Sequence, residues 1–145
     1  MSGQRELIET MVDFLIQSDT TDHAQLAARA LGNFSFEHEE NRHLLVEFGV
    51  PVRLLNLLKQ SEDTTTLRNC TGALANVSFV SGRRTGAKVD SNPLLDTLQA
   101  TLVEEGVISV LLKQLASPEE LVVVMSLRAF GNIIDGSSFA VRLTR

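Results

Sequence analysis

The stretch His38-Glu39-Glu40-Asn41-Arg42-His43 holds the ingredients of a zinc-hydrolase helix, two histidines and a carboxylate. That chemistry needs histidines at i and i+4 on one helical face, with a glutamate as base. Here i+4 is Arg42 and the second histidine falls at i+5, on another face, so the stretch reads as a solvated helix start. Gly82–Lys88, GRRTGAK, is the nearest thing to a phosphate loop. It has three residues between its glycines instead of four, Ala before Lys88 and Val89 after it, so it reads as a basic surface loop. Cys70 sits at a small-residue position of an apolar pattern and is expected to be a buried thiol. His23, His38 and His43 have no nucleophile at a useful spacing. No covalent chemistry, cofactor or metal is expected.

What does recur is a set of amides and guanidiniums. Arg29–Phe36 reads RALGNFSF, Gly72–Phe79 reads GALANVSF, and Arg128–Asp135 reads RAFGNIID. Aligned on Asn33, Asn76 and Asn132, position −6 is small (Ala27, Cys70, Ser126) and so is −3 (Ala30, Ala73, Ala129). Positions −2 (Leu31, Leu74, Phe130) and +1 (Phe34, Val77, Ile133) are large and apolar. These offsets make one stripe of a 3.6-residue helix and predict a buried face. The asparagine itself and position −4 (Arg29, Gly72, Arg128) fall on the neighbouring stripe, expected to be more exposed, with Arg68 one turn before Gly72. An amide offers both donor and acceptor, so it can grip the main chain of an extended peptide or bond the backbone of an adjacent helix. Guanidinium forks suit carboxylates. The candidate partner-binding residues are therefore Asn33, Asn76, Asn132, Arg29, Arg68 and Arg128.

The elements that must carry them are helices. Apolar residues make up 43% of the chain and aromatics only 5%, all Phe, while Leu and Ala favour helix. A second phrase precedes the later asparagines: Val46–Asp63 aligns with Val103–Glu120 without gaps, and Glu6–Asp19 fits the same frame. Gly49 and Gly106 are expected just past a helix end. Ser117-Pro118-Glu119-Glu120 is expected to supply an N-cap, a proline at N1 and a carboxylate at N3. Asn33 to Asn76 is 43 positions and Asn76 to Asn132 is 56, the excess falling in the Gly-, Ser- and Asn-rich stretch 80–93. The units are about 5–48, 49–105 with an inserted loop at 80–93, and 106–135, followed by a partial unit at 136–145. Such periods mark HEAT and armadillo solenoids, whose units bury their apolar faces only by stacking. Gly32, Ala75 and Gly131, just before each asparagine, would let a neighbouring helix approach closely.

The AL-x-N phrase, ENR before G-V-P, and the L-L-x-L-L that follows resemble armadillo repeats over nearly the whole chain. HEAT repeats usually lack the glycine between a short first helix and the second. The resemblance implies an all-α, right-handed solenoid of about three armadillo repeats, the last followed by a truncated one. It also implies that the long third helices line a concave groove. ARALGNFSFEHEENRHLLVEFG, CTGALANVSF with LLDTLQATLVEEGVISVLLKQL, and MSLRAFGNIID resemble small-GTPase GDP-dissociation stimulators of the SmgGDS type. That likeness implies a non-catalytic regulator and chaperone of Ras-like small GTPases that stimulates nucleotide dissociation. The alternative is a generic armadillo scaffold that binds a peptide or another protein in its groove. Nuclear-import adaptors commonly carry Trp at position −4, where this chain has Arg29, Gly72 and Arg128 and no Trp anywhere. An import-signal groove is not expected; a carboxylate-bearing partner is.

The net charge of −5 argues against a general nucleic-acid binder. One cysteine and the absence of a membrane-length apolar run fit a cytoplasmic protein. No secretory leader is visible at the start. GSSFAVRLTR begins a further helix, so a larger array is expected, and Phe139, Val141 and Leu143 are expected to promote self-association.

Overall fold

The computed structural model describes residues 2–17, 21–79 and 93–134. The inserted stretch up to Asn92 and the partial unit with Phe139, Val141 and Leu143 lie outside the described residues. These hold eight α-helices and no strand: α1 (Ser2–Gln17), α2 (Thr21–Ser35), α3 (Glu39–Glu47), α4 (Val50–Gln60), α5 (Thr64–Val77), α6 (Pro93–Glu104), α7 (Val107–Gln114) and α8 (Glu120–Ile134). The three asparagine-bearing helices α2, α5 and α8 pack side by side as one layer. Each is backed by the helix before it: α1 behind α2, α4 behind α5, α7 behind α8. The short helix α3 touches α2, α4, α5 and α6, and α6 touches α3, α4 and α7. The whole is an all-α solenoid.

Local chemistry sets the boundaries. His38 caps α3, its Nδ1 accepting from Asn41 N at 3.3 Å. Asp63 caps α5, its Oδ2 accepting from Thr66 N at 3.0 Å. Gly49 and Gly106 are left-handed, at φ 73° and 90°, as expected of residues that end a helix. Their N–H groups donate to Val46 O at 3.0 Å and to Val103 O at 3.1 Å. The start of α8 differs from the expected Ser-Pro-Glu-Glu cap by two residues. Ser117 Oγ accepts from Glu119 N at 3.1 Å, and the first helical bond runs from Val123 N to Glu119 O at 3.2 Å. The serine thus closes a local turn ahead of the helix and leaves Glu119 at its threshold.

The predicted apolar stripe is the core. Ala27, Cys70 and Ser126 are buried, as are Leu31, Leu74, Val77 and Ile133; Phe34 and Phe130 are half-buried. Ala30 is the exception. Ala73 and Ala129 are buried because α5 and α8 each pack on the long helix before them. No described helix covers that side of α2, and Ala30 is exposed. Between α2 and α5 the approach is close. A Cβ added at Gly32 would lie 3.0 Å from Ala73 Cα and 3.1 Å from its Cβ.

Candidate functional site

Stacking three long helices opens a groove of about 440 Å³ across them. Arg29 and Asn33 line it from α2, Arg68 and Asn76 from α5, and Arg128 from α8; Gly32, Gly72 and Ala73 lie among them. Five of the six candidate residues thus share one groove. The sixth, Asn132, lines an adjoining hollow of about 230 Å³ that shares Asn76 and Arg128 with the groove.

The groove is cationic. No carboxylate lines it, and none of its three arginines is ion-paired among the described residues. Arg29 is exposed and Arg68 half-buried, so both can reach a ligand. Arg128 is partly committed: Nη2 donates to Asn76 Oδ1 at 2.6 Å and Nη1 to Met125 Sδ at 3.1 Å.

The asparagines do not share the uniform outward stripe that the spacing predicts. Asn33 is exposed, Asn76 half-buried and Asn132 buried. Asn76 and Asn132 each reach the preceding long helix, Asn76 beside the close approach of Gly32 and Ala73. Asn76 Nδ2 donates to Gly32 O at 3.1 Å, and Asn132 Nδ2 donates to Ala75 O at 2.7 Å. The two bonds are equivalent, because each acceptor is the residue before the previous unit's asparagine. Gly32 and Ala75 also fall in the last turn of their helices, where carbonyls lack a helical donor. Each asparagine therefore tethers its unit to the previous one and supplies a donor to a helix end. The structural alternative for this amide operates at Asn76 and Asn132, leaving Asn33 with its amide exposed.

Further polar links were not legible from spacing. Gln25 Nε2 donates to Asp63 Oδ2 at 2.6 Å and Thr66 Oγ1 at 2.8 Å, while Asn69 Nδ2 donates to Gln25 O at 3.2 Å. In the next pair of units Gln114 Nε2 donates across the junction to Thr71 Oγ1 at 2.9 Å and within its own unit to Ser126 Oγ at 2.8 Å. These pairs are distant in sequence and vary in residue type from junction to junction, so no periodic signal marks them. Arg42, passed over as part of a helix start, is 3% exposed and stacks 5.3 Å from the Phe79 ring centroid. Burial lowers its pKa and the Glu39 carboxylate works in the opposite direction. Burial likewise pushes the Cys70 thiol up to about 12, which keeps it protonated and unreactive near neutral pH. Among the described residues no cluster of His, Cys, Asp and Glu could hold a metal, and no helix is long and apolar enough to cross a membrane.

Comparison with known proteins fits this geometry. Residues 38–79, spanning α3 to α5, match the Armadillo/beta-catenin-like repeat. No curated protein matches the chain. Two crystal structures of engineered proteins from the Northeast Structural Genomics Consortium resemble it. One has a TM-score of 0.72 and 29% identity, covering 93% of this chain and 48% of its own. The other has a TM-score of 0.70 and 26% identity, covering 89% and 47%. The chain spans about half the length of these two proteins. A designed armadillo repeat protein aligns with a TM-score of 0.49 and 21% identity, over 93% of this chain and 68% of that one. The chain is thus an all-α solenoid whose central residues 38–79 match an armadillo repeat.

Proposed function

We propose that this chain is a non-catalytic scaffold whose groove takes an extended, acidic segment of a partner protein. The observation that carries the proposal is the convergence of Arg29, Arg68 and Arg128 on one groove with no lining carboxylate. An unpaired guanidinium on a partly desolvated wall favours a carboxylate and penalises a lysine brought to the same place. The two inner asparagines each commit an amide N–H to the solenoid, and the arginines carry the charge that sets the preference for a partner. Arg128 and Asn76 then act together, the guanidinium held in place by the amide oxygen.

Fluorescence anisotropy with a glutamate-rich and a lysine-rich peptide of equal length tests this. The acidic peptide binds and its affinity falls as salt rises; a preference for the lysine-rich peptide overturns the proposal. For the partner's identity, the RALGN, GALAN and AFGN phrases support a Ras-like small GTPase through their likeness to SmgGDS-type stimulators. Such a protein works by binding the nucleotide-free GTPase better than the GDP-bound one, which weakens GDP binding by linkage. This role sets the protein in the cytoplasm. Faster GDP release from Rho- or Rap-like GTPases supports it; unchanged release across the panel leaves a scaffold for a different acidic partner.

A further inference from the structure

We propose that the groove and the hollow beside it form one composite site, in which the partner's acidic segment also carries a large apolar side chain seated between Phe36 and Phe79. This rests on the acidic-segment reading of the groove and adds a second specificity element to it.

The two spaces meet at Asn76 and Arg128, which line both. Their chemistry differs. The groove is walled by guanidiniums and amides with Leu26 and Met125 among them, whereas the hollow sets two large rings beside Arg42, Arg128 and their neighbouring amides. Phe36 is 56% exposed and Phe79 39% exposed, whereas Leu31 of α2 and Leu74 and Val77 of α5 are buried in the core. Each lies three positions after the asparagine of its unit, so the repeat places both rings at the same end of the layer. The Phe79 ring is held from one side by Arg42, 5.3 Å from its centroid, and Arg42 Nη1 in turn donates to the buried Ser35's carbonyl at 3.3 Å. A ring clamped in this way is organised before any ligand arrives, which lowers the ordering cost of binding against it. The hollow's two guanidiniums already donate within the protein, Arg42 to Ser35 O and Arg128 to Asn76 Oδ1, and Glu37 adds a negative charge, so the hollow is less suited than the groove to a second acidic residue. An apolar side chain fits the two rings better.

The spacing follows from the helix. Arg68 to Val77, the last residue of α5, spans nine positions, on the order of 14 Å at 1.5 Å per residue, and Phe79 follows two positions later. An extended segment rising about 3.3 Å per residue covers the whole span in about five residues. The partner motif is therefore a short acidic cluster with a Phe, Leu or Met about five residues from it.

The test uses fluorescein-labelled peptides in which three glutamates are separated by four residues from Phe or, in a control, from Ser. Each is made with the variable residue on either side of the cluster. In one chain direction the Phe peptide binds the full chain about tenfold more tightly than the Ser peptide. Phe36→Ala, at an exposed position, erases that gain while leaving the Ser peptide's affinity unchanged; Phe79→Ala is the second variant. Equal binding of the Phe and Ser peptides in both directions, or a gain that survives both substitutions, overturns the composite site and leaves the acidic groove standing. If neither peptide binds, both proposals fall.

Discussion

At the scale of single residues, one type serves two purposes in the three repeats. Asn132 is buried with a 2.7 Å bond to Ala75 O, Asn76 is half-buried with a 3.1 Å bond to Gly32 O, and Asn33 is exposed. Removing a buried donor that leaves its acceptor unsatisfied costs about 1–3 kcal/mol; Gly32 O keeps a second donor in Ser35 Oγ at 3.0 Å, and an exposed amide is replaced by water at little cost. Urea denaturation of Asn132→Ala, Asn76→Ala and Asn33→Ala is therefore expected to give a graded series. The largest loss belongs to Asn132 and a change within about 0.5 kcal/mol to Asn33. Equal losses at all three positions would contradict the tethering role. Arg29 and Arg68 line the groove without a carboxylate partner among the described residues, so replacing either is expected to cost little stability.

The junction between long helices depends on volume at one contact. Gly32 faces Ala73 at a distance that leaves no room for a further methyl group without movement. Gly32→Val is expected to push α2 from α5 and to cost about 1–3 kcal/mol, with the Asn76–Gly32 bond lengthened as a consequence. Ala73→Gly removes the opposing methyl, so the double variant recovers part of that loss despite the poor helix propensity of glycine. A purely additive double-mutant cycle would place the strain elsewhere. Helix identity was the more legible part of the sequence, because apolar periodicity and capping residues are local. Gly49, Gly106 and the stripe through Leu31, Leu74 and Ile133 sit where spacing puts them. The outward orientation expected of the asparagines failed at Asn132 for a tertiary reason, since a neighbouring helix close enough to touch Gly32 or Ala75 converts a surface stripe into part of the junction. Ala30 failed in the opposite sense, its stripe being buried only where a unit stacks on it.

At the scale of the molecule, repetition places like residues in register and so turns separate helices into a surface. Arg29, Arg68 and Arg128 are far apart in sequence, yet one groove holds all three. Their gathering was legible because each lies near the same point of the same repeated phrase. Arg42, Gln114 and the clamped Phe79 were not, because their partners belong to other helices and carry no repeated signature. The central claim, that guanidiniums of this groove select an acidic segment, is tested most directly by a charge swap. Arg29→Glu combined with Arg68→Glu is titrated with the glutamate-rich and lysine-rich peptides, with circular dichroism used to check that helicity is retained. The double variant is expected to lose about tenfold or more in affinity for the acidic peptide and to gain binding to the basic one. Unchanged acidic-peptide affinity in a fully helical double variant would contradict it.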